Sequence, residues 1–321
     1  MRSPRQLWGA WVALWSRTER PTTLAVLRVL LTLTVLADQL AVLQLGLVET
    51  LWAPAEVGGI GDPMGAVPPP ILYRLFDATT TTAWIAFGLW VASTLSFCVG
   101  LFTRASGLLM VLIYAQLANV LPGADRGIDM LLRNALLLLA LGASGDTLSV
   151  DARRKTGSWL GNGALAPAWT RYLLILQLVV VYFTAGMQKV GIAWLPVGHF
   201  SALYIVLQDP ALARTAGMNL EPWFWMTQIA TASTVAWEWS APLLGLAIYY
   251  RDTRTRAGRL RALFNRLDFR ALWLLVGVLF HIGIHLTMRI GIFPFAMMAL
   301  YVAAWHPDEL GRAWRRLRPA A

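Results

Sequence analysis

The chain is poor in charge, in cysteine and above all in lysine. Only 14% of its 321 residues are charged, against roughly 25% in an ordinary soluble domain, which excludes a string of soluble domains. The single cysteine, Cys98, excludes an internal disulfide framework and a cysteine-rich metal site. Inside an apolar run it reads as a small buried hydrophobe. Lysine occurs only at Lys155 and Lys189, so arginine carries nearly all the positive charge. No phosphate-cradling glycine loop, dinucleotide fingerprint or nucleophile elbow is present. No cleavable signal peptide is visible, because the apolar stretch in residues 2–20 is short and lacks a small-residue cleavage site.

What fills the chain is apolar sequence, 57% of it. A membrane-crossing helix needs about 20 apolar residues. Runs at 22–45, 81–102, 105–121, 128–142, 171–188, 222–250, 271–288 and 292–305 meet or approach that length. The expectation is an all-α polytopic bundle of about eight spans, one domain over 1–321. Residues 1–20 form a basic interfacial helix with tryptophans at headgroup depth, 22–305 the bundle, and 306–321 a basic cytoplasmic tail. The Gly- and Pro-rich stretch 53–70, with Pro68, Pro69 and Pro70, reads as an external loop. Pro242 is expected to kink the sixth span.

The net charge of +10 raises the question of nucleic acid, but the basic residues sit in short loops between apolar runs. Eight spans place Arg2, Arg5, Arg17, Arg20 and Arg104 on one side. Arg153, Arg154, Lys155 and Arg171, the arginines of 251–270 and those of the tail join them there. The opposite loops hold only Arg74, Arg126, Arg214 and Arg289. The positive-inside rule then puts both termini in the cytoplasm of a multi-pass cell-membrane protein. Its partner is the lipid bilayer, with anionic lipid at 251–270 and no nucleic acid.

Ionisable residues at membrane depth are functional candidates by default. Lys189 ends the fifth run, and Tyr182, Gly186 and Lys189 share one helix face by their spacing. Gly186 lets a neighbouring helix or a flat ligand approach closely. Desolvation disfavours an ammonium, which makes Lys189 a candidate general base. The alternatives are a lysine paired with Asp129 or Glu238, or one snorkelling to the interface. The topology places Asp129, Lys189, His281 and His285 in the outer half of the bundle and Glu238 nearer its middle. A polar pocket open to the outside follows. His281 and His285, four apart, share a face; the spacing suits a metal or haem site, but the segment offers no further acidic or cysteine ligand, so a hydrogen-bonding pair is the favoured reading over a metal. Asp129 and Arg133 read as an i, i+4 ion pair, and Glu238 as a partner for Arg28 or Arg133 or the orienter of a proton relay.

The run Tyr182-Phe183, Ala185-Gly186, Met187 with Lys189 two residues on, then Trp194 and Gly198, resembles the segment of vitamin K-dependent γ-glutamyl carboxylases that carries their catalytic lysine. Phe280-His281 followed by Ile290-Gly291-Ile292-Phe293 is similar to that group's histidine helix and the turn after it. Glu238-Trp239-Ser240-Ala241 matches a helix with an acid before Ser-Ala. Gly127-Ile128-Asp129 through Arg133, with Ser149-Val150-Asp151, looks like the bacterial membrane domain called HTTM.

That resemblance implies a lysine, Lys189, deprotonating a hydroquinone of vitamin K or menaquinone type. Oxygen and carbon dioxide are the implied co-reactants, and His281 and Asp129 assist. Tyr182, Gly186, His285 and Trp194 would bind the cofactor, and Arg28, Arg133 and Glu238 would form structural ion pairs. The active centre would face outward. The chain is expected to lack the lumenal β-rich substrate-binding domain of the animal enzymes, so carboxylation of a propeptide-bearing protein would need a second chain for recognition; a small partner protein or a peptide substrate is the expected partner. The compact form resembles the sporulation-delaying protein B branch, which works with a small partner on a secreted antimicrobial peptide. A non-enzymatic maturation or export factor is therefore the alternative expectation, with a transporter third.

Overall fold

The computed structural model of the chain describes residues 3–61 and 70–317. Arg2, Pro68, Pro69 and the tail arginine Arg318 lie outside the described residues. The first half of the chain runs α1 (Pro4–Trp15), β1 (Thr18–Glu19), α2 (Thr22–Gln44), α3 (Leu47–Trp52), α4 (Ile71–Leu75), α5 (Thr80–Val99), α6 (Thr103–Val120), α7 (Gly127–Leu141), α8 (Val150–Thr156) and β2 (Ala166–Pro167). The second half runs α9 (Trp169–Met187), α10 (Ala202–Val206), α11 (Phe224–Trp239), α12 (Ala241–Asp252), α13 (Arg259–Leu267), α14 (Phe269–Thr287), α15 (Phe293–Leu300) and α16 (Pro307–Leu317).

Among the described residues four helices, α2, α5, α9 and α14, are long and apolar enough to cross a membrane by length and composition. The other expected spans take shorter or broken forms: α6, α7, the α11–α12 pair, and α15 with the turn at Tyr301–Ala304. The sixth expected span is not one kinked helix. It breaks at Ser240, and Pro242 sits in the first turn of α12, where its missing N–H is no loss. Within a continuous helix the same ring would have clashed with the Glu238 carbonyl.

The chain divides into two compact units, Met1–Tyr172 with Trp305–Ala321, and Leu173–Ala304. In the first unit α2 packs on α5 and α7, and α5 and α6 form a hairpin. Thr79 caps α5 by accepting from Thr82 N at 3.2 Å. Gly100 ends that helix in the left-handed region at φ 70°. A Cβ there would lie 2.3 Å from Ser149 Cβ and 3.0 Å from Arg28 Nη1, so only glycine fits.

The Ser149-Val150-Asp151 motif holds that turn. Ser149 Oγ caps α8 by accepting from Ala152 N at 2.8 Å. The Asp151 carboxylate caps α6, accepting from Phe102 N at 3.0 Å, Thr103 N at 2.7 Å and Thr103 Oγ1 at 2.7 Å. Burial alone would raise the Asp151 pKa, but these bonds outweigh it and hold the carboxyl below its ordinary value. Arg28, fully buried, donates to the carbonyls of Ser144 and Leu148 beneath the same turn. Nearby, Arg171 Nε donates to both carboxylate oxygens of Glu19, at 2.8 and 3.0 Å. Both residues are buried, and the pair lies beside the β1–β2 ladder.

The second unit has an aromatic core. Trp237 of α11 stacks on Trp273 of α14 at 4.6 Å, and the Tyr182 ring stands edge-on to both, at 4.6 and 5.3 Å. Trp237 Nε1 donates to Trp273 O at 3.1 Å, and Trp273 Nε1 to Ser240 Oγ at 2.9 Å. Both indoles are therefore satisfied where they are buried.

Candidate functional site

The second unit carries two polar groups, both reached from α9. Lys189 lies two residues beyond the C-terminus of α9. The helix dipole favours a cation there, and Nζ donates to the free carbonyl of Ala185 at 3.3 Å. The same nitrogen lies 2.6 Å from Glu238 Oε2, and the two form an ion pair. Trp194 lies beneath the ammonium, its ring centroid 5.1 Å from Nζ. The lysine side chain is 17% exposed and the glutamate 5%.

Gly186 makes this closeness attainable. A Cβ there would stand 2.7 Å from Trp239 Cδ1 and 3.1 Å from Glu238 Cβ. Its absence lets the end of α11 approach α9 one turn before the lysine. Of the two acids open as Lys189 partners, Glu238 is the one in contact. The guanidiniums of Arg28 and Arg133 are occupied inside the first unit.

Lys189 and Trp194 line a cavity of about 370 Å³. The rest of the wall is apolar or weakly polar, including Leu203, Leu207, Leu279 and Phe280, with Thr231, Thr234 and Thr287 as its hydroxyls. Lys189 is the one charged residue of this lining among the described residues. A cavity of this size and polarity suits a small lipophilic molecule held by one charged group.

The second group is a buried chain of three side chains. Tyr182 Oη lies 2.6 Å from His281 Nε2 and 2.6 Å from Tyr301 Oη. His281 has no solvent exposure, and Tyr182 and Tyr301 have almost none. Gly277 admits Tyr301, whose Oη would be 2.3 Å from a Cβ at that position. His281 Nδ1 is buried and has no hydrogen-bond partner among the described residues.

His281 and His285 do not form a hydrogen-bonded pair. The buried stripe of α14 runs through Arg270, Trp273, Leu274, Gly277 and His281 and does not continue into the last turn, where His285 is exposed. Its ring lies 4.8 Å from Phe295.

Asp129 and Arg133 belong to the first unit, and they do not pair with each other. Arg133 makes a two-pronged bond to Asp125, each arm 2.7 Å. Asp129 is held by Arg126 through its backbone N at 2.9 Å and Nε at 2.8 Å, and by the Tyr114 hydroxyl at 2.5 Å. Arg126 also reaches Asp38 at 2.7 Å. The helix starts at Gly127, so Asp129 stands in its first turn and caps it. That geometry turns its carboxylate back toward Arg126 and away from a residue one turn ahead.

Sequence reasoning passed over Tyr301, Trp237 with Trp273, Tyr114 and Arg126. Tyr301 is 119 positions from its partner Tyr182, and no local pattern links them. Arg126 did carry a signal: an arginine three residues before an aspartate at a helix start. Among the described residues no group of three or more His, Cys, Asp or Glu is arranged to hold a metal ion.

No curated protein and no solved structure matches the chain. A family model described as the HTTM domain matches residues 16–308. The match runs through both compact units and takes in every residue of the Lys189 and Tyr182 groups, and on that basis this chain belongs to the HTTM family.

Proposed function

We propose that the chain is an integral membrane enzyme that uses a reduced quinone-type cofactor, with Lys189 as its base, to modify a peptide or small substrate at the external face. The HTTM domain is associated with vitamin K-dependent carboxylase-like membrane proteins. The observation that carries the reading is the lone ammonium of Lys189 in the lining of an otherwise uncharged cavity, 2.6 Å from a buried carboxylate. The donor set fits a hydroquinone: apolar walls for the rings, a cation for an ionising hydroxyl, and the Trp194 face beside it.

When bound, a hydroquinone supplies an acidic ring hydroxyl and reducing electrons, with oxygen and carbon dioxide as co-reactants by family resemblance. The chain's own residues supply proton handling. Glu238 Oε2 takes a proton from Lys189 Nζ, and the freed lone pair then accepts the hydroxyl proton. Tyr182 holds His281 Nε2, but His281 is fully buried and outside the cavity lining, so its part in steadying negative charge rests on the resemblance alone. Trp194 and Gly186 shape the cation's surroundings. His285 shares a turn with the cavity residues Ile284 and Thr287 and serves the cofactor by resemblance alone. Asp129, Arg133 and Arg28 are structural, each committed to named partners in the first unit.

The proposed topology is eight crossings with both termini cytoplasmic, supported by the placement of the basic residues. One observation favours the second reading, a maturation factor acting with a small partner on a secreted peptide: the Lys189–Glu238 pair is already closed and serves equally as a clasp between α9 and α11. Cellular complementation separates the two. Under the enzyme reading Lys189→Ala folds and abolishes function, whereas the pair Lys189→Met with Glu238→Met restores a clasp without restoring activity. Full function in either variant overturns the enzyme reading.

A further inference from the structure

Two glycines of α14 have opposite surroundings. A Cβ at Gly277 would stand 2.7 Å from Trp237 Cζ2, so α11 and α14 are in close contact at that level. A Cβ at Gly283, further along the helix, would meet nothing within 4 Å. Trp237 and Trp273 stack at the closed level. Earlier residues of α11, Ala230 and Thr234, and later residues of α14, Gly283 and Thr287, line the Lys189 cavity. The two helices therefore meet at their tryptophans and part beyond them, and the cavity occupies the space between.

The gap lies on the apolar side of α14. Leu275, Leu279, Ile282 and Leu286 form an exposed stripe on that helix, spaced as one helix face. The helix is long and apolar enough to cross a membrane. Leu279 belongs to both the stripe and the cavity wall. Gly283, itself exposed, stands one turn beyond it in the same wall. The cavity thus reaches the outward apolar face of α14 at a residue with no side chain to close it.

The C-terminal end of α14 is closed in a different way, by backbone. Ala213 and Met288 form an antiparallel bridge. Arg214 N donates to Thr287 O at 2.8 Å, and Arg289 N to Leu212 O at 2.7 Å. Arg214 Nε adds a bond to Met288 O at 3.1 Å. Thr287 and Met288 line the cavity, so this strap runs across the end that the proposed topology turns toward the aqueous exterior.

We infer that the Lys189 cavity is entered sideways from the bilayer, through the gap at Gly283, by a membrane-dissolved amphiphile. Its polar head meets Lys189, and its apolar chain lies in the gap beside Leu279. The inference rests on the Lys189 cavity being a ligand site, and not on the ligand's being a quinone.

Two measurements test it. In a Cys98→Ser background, Gly283→Cys is labelled with bimane and placed in phosphatidylcholine vesicles. Lipid brominated along its acyl chains is expected to quench the label strongly, and aqueous iodide weakly. The second measurement is equilibrium binding of para-dodecylphenol and para-ethylphenol to the full chain in lipid nanodiscs, with empty nanodiscs as the blank. Gly283→Leu fills open space and is expected to fold. It is expected to weaken the dodecyl compound about tenfold, roughly the effect of two excluded methylenes, and to leave the ethyl compound unchanged. Binding of neither phenol to the unaltered protein overturns the inference together with the Lys189 ligand site. Binding of both, with Gly283→Leu weakening neither or both alike, overturns the sideways entry alone. Iodide quenching as strong as that by brominated lipid also overturns it.

Discussion

Lys189 Nζ and Glu238 Oε2 lie 2.6 Å apart at the point where the end of α9 meets the end of α11. The two residues are 49 positions apart in sequence, and Gly186 is what lets their helices close. Removing one partner of a buried pair costs roughly 3–5 kcal/mol, because the other charge is stranded. Lys189→Ala is therefore expected to lower thermal stability in detergent, and Lys189→Ala with Glu238→Gln to recover most of the loss. A double variant no more stable than Lys189→Ala would show that the pair contributes nothing.

Gly186→Ala tests the close approach. Its Cβ would press on Trp239 Cδ1 at 2.7 Å and on Glu238 Cβ at 3.1 Å. Overpacking of this kind costs about 1–3 kcal/mol, and relief requires Glu238 to move away from the lysine. Thermal unfolding is expected to report the destabilisation. Unchanged stability would mean that α9 and α11 pack more loosely at this point.

The Tyr182 hydroxyl serves two partners, His281 and Tyr301. Tyr182→Phe leaves both without it at once, at a cost of about 1–3 kcal/mol per stranded buried group. Tyr301→Phe removes only one of the two bonds and is expected to cost less. Melting temperatures of the two variants in the same detergent check the order, and the reverse order would sink the three-member chain.

Asp151 carries a pH signature. Its pKa in the folded chain is below the ordinary 3.8, so its caps on α6 stabilise fully above that value. The contribution falls as pH drops through the lower folded value. The stability difference between the unaltered protein and Asp151→Asn is expected to be constant at neutral pH and to shrink only below about pH 4. A difference that changes between pH 6 and 8 would contradict the assignment.

The topology has its own test. In a Cys98→Ser background, Ala124→Cys is expected to react with a membrane-impermeant thiol reagent on intact cells, and Asn162→Cys only after lysis. The opposite pattern would invert the orientation drawn from the arginines.

The sequence made the apolar helices legible because their signal is local: length and composition suffice for α2, α5, α9 and α14. The spacing of Tyr182 and Gly186 was legible for the same reason, but Lys189 lies beyond the end of α9 and its partners differ from those of Tyr182. The ends of the polar contacts were not. Arg133 was read with Asp129 by i, i+4 spacing, but the first-turn position of Asp129 ties it to Arg126, and Arg133 reaches back to Asp125. Tyr301 joins Tyr182 only because Gly277 leaves room for it, which no spacing rule reveals. The break at Ser240 followed from a rule already in hand, that proline opens a helix more easily than it continues one.

The central claim is that the cavity lined by Lys189 holds a reduced quinone-type molecule. The most direct measurement is mass spectrometry of the lipophilic compounds that co-purify with the protein, for the unaltered chain and for Lys189→Ala. The account predicts a quinone-class molecule near stoichiometric amount with the unaltered chain, and a marked loss with Lys189→Ala. No such molecule with either protein, or equal retention by both, would contradict it.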